Sequence, residues 1–91
     1  MICEEFEYSN HCLLRALERD IDIETIELII QRGEIIKEYP NDKPYSSYLI
    51  LGFDKNRPVH IVVAFNQGTC IVITVYEPDT LVWTNDFKTK K

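Results

Sequence analysis

His11 and His60 are the chain's two histidines, and histidine is the side chain that ordinarily exchanges a proton near neutral pH, with a reference pKa of ~6.5. His11 opens the run His11-x3-Arg15-x3-Arg19, whose i, i+4, i+8 spacing puts all three on one face of a helix. Three hydrogen-bond donors then point one way, as an anion would require. Glu18 lies beside that stripe, so the same spacing also describes a solvated helix face with an ion pair worth only ~0.3–0.5 kcal/mol. His60 interrupts the apolar run from Val59 to Phe65. In a strand, neighbours point to opposite faces, so Val59, Ile61, Val63 and Phe65 oppose His60, Val62 and Ala64. In the following run Ile71, Ile73 and Val75 oppose Cys70, Val72, Thr74 and Tyr76. If the all-apolar sets form the core, the other face carries His60, Thr74 and Tyr76, and that partly covered face is the natural place for a site. A histidine inside an apolar strand also reads as a hydrogen-bonded, partly buried residue with no catalytic part.

Other chemistries find no support. His11 and Cys12 are adjacent rather than three or four apart, so they do not point readily at one ion, and no metal is expected. No Gly-rich phosphate loop, G-x-S-x-G elbow or carboxylate dyad occurs, and the three glycines each fall at a turn or strand end. No cofactor is expected. Cys3, Cys12 and Cys70 are an odd number without C-x-x-C spacing, which reads as reduced, mostly buried thiols rather than a disulfide framework.

The elements that must position these residues follow from pattern. Phe6 to Tyr8 reads as a short extended lead-in, and Ser9 as an N-cap whose hydroxyl accepts from the first turn. Leu13, Leu14, Leu17 and Ile21 make one apolar stripe on a first helix ending near Arg19 or Asp20. Asp22 caps a second helix with Ile23, Ile26, Ile29 and Ile30 on one face, and Gly33 stops it as a residue free to take positive φ. Past Gly33 the period falls to two. Tyr48 to Phe53, Val59 to Phe65 and Cys70 to Tyr76 read as strands, and the short connections between them favour antiparallel hairpins. Glu34 to Tyr39 adds an edge strand, and Trp83 and Phe87 tie down an irregular tail ending in Lys88-Thr89-Lys90-Lys91. The expected fold class is α+β: two N-terminal helices packed on one face of a three- to four-stranded antiparallel β-meander.

Ninety-one residues, 45% apolar, suit a single domain over 1–91. No window approaches the ~20 apolar residues of a membrane span, and the N-terminus lacks the basic and apolar regions of a signal peptide. The expected location is the cytoplasm, away from membranes. A net charge of −5 argues against nucleic-acid binding over the whole surface. The charge is uneven: residues 1–38 hold ten Asp/Glu against four Lys/Arg, a net −6, and residues 39–91 hold five against six, a net +1. Any anion site is therefore local, and the acidic half reads either as a solvated surface or as a face for a basic partner.

His11-x3-Arg15-x3-Arg19, Gly33-Glu34, Tyr39-Pro40-x-Asp42-Lys43-Pro44-Tyr45, Leu49-Ile50-Leu51-Gly52, Pro58-Val59-His60-Ile61-Val62-Val63 and Ile73-Thr74-Val75-Tyr76-Glu77-Pro78 with Trp83 together resemble the small prokaryotic domain-of-unknown-function family 4258. Asp20 stands where that pattern has glycine, in a turn, and Lys90 where arginine is usual. The family is in turn similar, distantly, to the RelE-type toxins, with their barnase- and colicin-like ribonuclease architecture. The resemblance implies a RelE-like fold and a metal-independent RNA endonuclease, the toxin of a toxin–antitoxin pair. Its partners would be RNA, free or on the ribosome, and a cognate antitoxin protein. A free sheet edge would let an antitoxin strand or a second copy add to the sheet, giving a homodimer. Fold-level likeness does not by itself establish activity.

Such cleavage needs a base for the ribose 2′-hydroxyl, donors for the pentavalent phosphate and an acid for the leaving oxygen. His60 and then His11 are the candidate acid–base residues. Arg15 and Arg19 would clamp phosphate oxygens with their planar forks, and Tyr76 would donate to phosphate or stack on a base. Thr74, Trp83 and Lys88 are candidate substrate contacts. The competing expectation is a non-catalytic interaction module in which His11, Arg15, Arg19 and His60 form a buried polar network. Exposure discriminates: catalytic donors line an open cleft, whereas network residues are buried and mutually bonded.

Overall fold

The computed structural model describes residues 1–91. The chain runs β1 (Glu5–Tyr8), α1 (Asn10–Glu18), α2 (Ile23–Arg32), β2 (Glu34–Tyr39), β3 (Ser47–Asp54), β4 (Arg57–Asn66) and β5 (Thr69–Tyr76). The strands form one five-stranded sheet in the order β1-β5-β4-β3-β2. Strands β2 to β5 pair antiparallel with their sequence neighbours, but β1 lies parallel to β5, with Glu5 beside Thr69 and Tyr8 beside Val72. The fold is therefore α+β with a mixed sheet, which corrects the expectation of helices on a simple antiparallel meander. A four-residue lead-in carries no local sign of its partner, and two helices and three strands separate it from β5 along the chain.

Cys3, just before β1, is disulfide-bonded to Cys70 in β5, with Cα atoms 5.6 Å apart. This corrects the reading of all three cysteines as free thiols; Cys12 alone is free, and burial pushes its thiol pKa up. The parallel pairing brings Cys3 and Cys70 together, and nothing in their spacing announces it.

Both helices pack on one face of the sheet. The core joins Cys12, Ala16 and Ile21 with Ile26, Ile29 and Ile30 over Ile50, Val59, Ile61, Val63, Cys70, Val72 and Val75. Helix α1 meets the sheet through Cys12 and Ala16, 0% and 4% exposed, while Leu13, Leu14 and Leu17 are 43%, 54% and 79% exposed. The three leucines of the apolar stripe read from the sequence are thus turned outward, and of that stripe Ile21, past the helix end, joins the core. Small side chains at Cys12 and Ala16 let α1 sit close over β5, and that contact sets the rotation of the helix.

Local signals at the helix ends hold better. Ser9 Oγ accepts from the Cys12 amide at 2.9 Å and also donates to the Ile73 carbonyl at 2.7 Å. At the other end Ile21 N–H bonds the Ala16 carbonyl at 2.9 Å and Asp20 N–H the Leu17 carbonyl at 3.3 Å, a Schellman closure with Asp20 at φ +55°. Arg57 seals it, donating to the Arg19 carbonyl at 2.7 Å and the Asp20 carbonyl at 2.9 Å. Asp22 occupies the N-cap of α2, with no side-chain cap bond. Gly33 ends α2 at φ −73°, so it is not there for positive φ. A Cβ at Gly33 would lie 2.5 Å from the Ile29 carbonyl oxygen and 2.6 Å from that of Leu51, so the helix-to-strand corner is too tight for any side chain.

Strand β5 breaks the strict alternation. Val62 pairs with Thr74 and Val63 with Val72, leaving Ile73 as the extra residue of a bulge. Cys70 and Val72 therefore face the helices together with Val75, and not on the side of Tyr76.

Candidate functional site

The bulge returns Tyr76 to the sheet face away from the helices, where it pairs with His60, whose other neighbour is Leu51 of β3. The tail after β5 folds back across this outer face. Trp83 and Lys90 bridge within it, and the Trp83 ring stands edge-on to the His60 imidazole, 4.5 Å between centroids. The Tyr76 ring meets the imidazole from the side at 5.2 Å, and the Phe87 ring meets that of Phe53 at 6.4 Å. Trp83 and Phe87 thus hold the tail as their types suggest.

His60 is 0% exposed, and both ring nitrogens are engaged. Nε2 lies 2.7 Å from the Phe87 carbonyl oxygen and Nδ1 lies 3.1 Å from the Tyr76 hydroxyl. A carbonyl only accepts, so the partners assign the proton to Nε2 and make Nδ1 the acceptor of the tyrosine O–H. Burial lowers the His60 pKa below its ordinary 6.5, and the Phe87 carbonyl opposes this only in part. Burial likewise raises the Tyr76 pKa, helped by the nearby Tyr39. At neutral pH the pair is an uncharged, closed hydrogen-bonded unit.

The remaining candidates fall in three places. Thr74 is half-buried on the same outer face, opposite Val62. Lys88 reaches Glu34 of β2 at 3.0 Å, and that carboxylate holds its ammonium pKa above the ordinary value. This ion pair lines a cavity of about 550 Å³ between the end of α2, Gly52, Phe53 and Asp86, on the β2–β3 side. His11, Arg15 and Arg19 ride on α1, against the opposite face of the sheet from His60. Arg15 pairs with Glu18 at 3.0 Å, both exposed, and the fold does not join this stripe to His60 in a network.

Sequence reasoning passed over two contributors. Arg57 falls in the sequence between the apolar runs Tyr48 to Phe53 and Val59 to Phe65, where its type signals no role, and that role needs the end of α1 beside it, 38 residues earlier in the chain. The Phe87 partner of His60 is a backbone carbonyl, which no residue type can signal. The outer face also carries Lys37 over the Tyr39 ring at 5.6 Å and Lys90 over the Trp83 ring at 5.8 Å. No group of three or more His, Cys, Asp or Glu is placed to hold a metal ion. No helix is long and apolar enough to cross a membrane.

Fold and site together define a class of small α+β domain in which a mixed sheet carries helices on one face and a histidine-anchored C-terminal strap on the other. The pattern of the domain of unknown function DUF4258 matches residues 8–77, and the chain belongs to that family. The matched segment contains His11, Arg15, Arg19, His60, Thr74 and Tyr76, and it ends before Trp83, Phe87 and Lys88. No curated protein and no solved structure matches the chain.

Proposed function

We propose that this domain is a non-catalytic protein-interaction module in which His60 is a structural anchor. The observation that carries this reading is the state of the imidazole: fully buried under Trp83, with its lone pair given to Tyr76 and its N–H to Phe87. A general base needs a free lone pair within reach of the proton it takes, and a general acid needs a proton it can deliver to substrate. His11 is open to solvent but rides on α1, which packs on the other face of the sheet from His60 and Tyr76.

The RelE-type reading, an RNA endonuclease acting as a toxin under the control of an antitoxin, draws on one specific observation. His60, Tyr76, Thr74, Trp83 and Lys90 share the outer face, and the strap after β5 covers His60 there through Trp83 and Phe87. Opening that strap would expose the His60 imidazole beside the Tyr76 phenol.

The test is cleavage of end-labelled RNA in EDTA, with and without ribosomes, by the wild type and by His60→Ala, His11→Ala and Trp83→Ala. No cleavage by any form, with a lowered melting temperature in His60→Ala, is the expected result. Products with 2′,3′-cyclic phosphate ends that vanish in His60→Ala, or that increase in Trp83→Ala, would overturn the module reading and establish the ribonuclease.

A further inference from the structure

Resting on the module reading, we infer that the outer face of α1 is the docking surface, and that its partner is a basic amphipathic helix laid across Leu13, Leu14 and Leu17. On a helical wheel the two buried residues, Cys12 and Ala16, point to the sheet, and the three leucines span the roughly opposite arc. Helix α1 therefore shows apolar side chains on both sides. One side is buried in the core; the other, at 43%, 54% and 79% exposure, has no partner within the chain. Scattered exposed leucines need no explanation, but three on one arc of a nine-residue helix form a contiguous seam of the kind that packs against another helix.

Charge selects the partner. The seam ends at the α1–α2 corner, where residues 18–24 carry a net −3 and are all exposed except Ile21; Glu18 is paired with Arg15 and Arg57 donates to the Arg19 and Asp20 carbonyls, which leaves the carboxylates of Asp20, Asp22 and Glu24 without an ion-pair partner. A helix with leucine-like residues at i, i+3, i+4 and i+7 and Lys or Arg around them matches both the apolar seam and this corner. A second copy of the chain matches worse. Each copy carries a net charge of −5, which opposes the approach of one copy to another. From Leu13 to Leu17 the seam runs about 6 Å along the axis of α1, a little over one turn, and so engages about one to two turns of a partner.

The experiment titrates the full chain with two synthetic helical peptides of identical leucine pattern, one with Lys and Arg at the flanking positions and one with Glu, read by backbone amide shifts. Sedimentation equilibrium of the protein alone runs beside it. The expected result is shifts centred on residues 10–20, binding of the basic peptide at least about tenfold tighter than of the acidic one, and weakening by salt. Binding should be lost in Leu14→Ser/Leu17→Ser, and reduced several-fold in Glu18→Gln/Glu24→Gln, with both variants melting near the wild type because they alter exposed side chains. Shifts that map elsewhere, or equal affinity for the two peptides, would overturn the proposal. Self-association abolished by Leu14→Ser/Leu17→Ser would overturn it in favour of a second copy. RNA cleavage in the separate assay would remove the module reading itself, whereas failure of the peptides without cleavage removes only this surface.

Discussion

The Phe87 carbonyl oxygen lies 2.7 Å from His60 Nε2, although the two residues are 27 apart in sequence, and this contact ties the irregular C-terminal tail to the middle of the sheet. A buried imidazole costs free energy unless both nitrogens are satisfied. The tail supplies one partner and the aromatic wall of Trp83, while β5 supplies the other through Tyr76. The tail in turn gains a fixed seat that its own sequence, without a strand or helix, does not provide.

His60→Ala removes both bonds and leaves a cavity beneath Trp83. The expected loss is about 2–4 kcal/mol, from two hydrogen bonds and the missing ring volume. Denaturant unfolding followed by Trp83 fluorescence measures it, and the native emission of the variant should shift to longer wavelength as the tail loosens. An unchanged midpoint and spectrum would show that the anchor contributes nothing.

Acid should weaken the same contact. Because burial lowers the His60 pKa in the fold, the neutral ring is favoured there, and the stability it contributes is complete above the unfolded value near 6.5. As pH falls below that value the unfolded chain takes up a proton that the folded chain refuses, so stability declines by up to about 1.4 kcal/mol per pH unit until the folded pKa is reached. The difference in unfolding free energy between wild type and His60→Gln, measured from pH 8 to pH 5, isolates this term. It should shrink as pH falls; a constant difference would contradict the assignment.

Asp20→Gly should stabilise the chain. Asp20 sits at φ +55° in the closing turn of α1, a left-handed conformation that suits glycine, and its carboxylate lies at the negative end of the helix. Relief of both effects outweighs the extra flexibility of glycine in the unfolded chain, for a net gain of about 0.5–1 kcal/mol. Thermal melting should rise by roughly 2–8 °C for a domain of this size. A fall would mean that the Asp20 carboxylate makes a contribution the structure does not explain.

Reduction of the Cys3–Cys70 bond should lower stability by about 4 kcal/mol, since it opens a loop with a sequence separation of 67 in the unfolded chain. Urea midpoints with and without reductant give the value, and Cys3→Ser should match the reduced wild type. An equal midpoint with and without reductant would show that the link adds no stability.

Local structure was legible along most of the chain. Ser9 caps α1 as its type and position suggest, and the hairpin strands β3, β4 and β5 lie where β-branched and aromatic runs place them. His60 and Tyr76 do share a face, although the reasoning from strict alternation also put Cys70 and Val72 on that face. The bulge at Ile73 resets the phase, and a bulge leaves no mark in a run of β-branched residues. The leucine stripe of α1 misled for a related reason: periodicity shows that a helix has an apolar arc, but not that the arc faces inward when small residues allow a closer approach on another side.

By itself the sequence determined the element types, the ends of α1, the three hairpin strands and the placing of a histidine and a tyrosine on one sheet face. These depend on dihedral preference, capping and side-chain period, all of which act over a few residues. The tertiary structure alone decided that β1 joins β5 in parallel, that Cys3 meets Cys70, that α1 turns its leucines to solvent and that the tail closes over His60. Each of these joins groups far apart along the chain, and its free energy comes from packing and backbone hydrogen bonds that exist only once the sheet has formed.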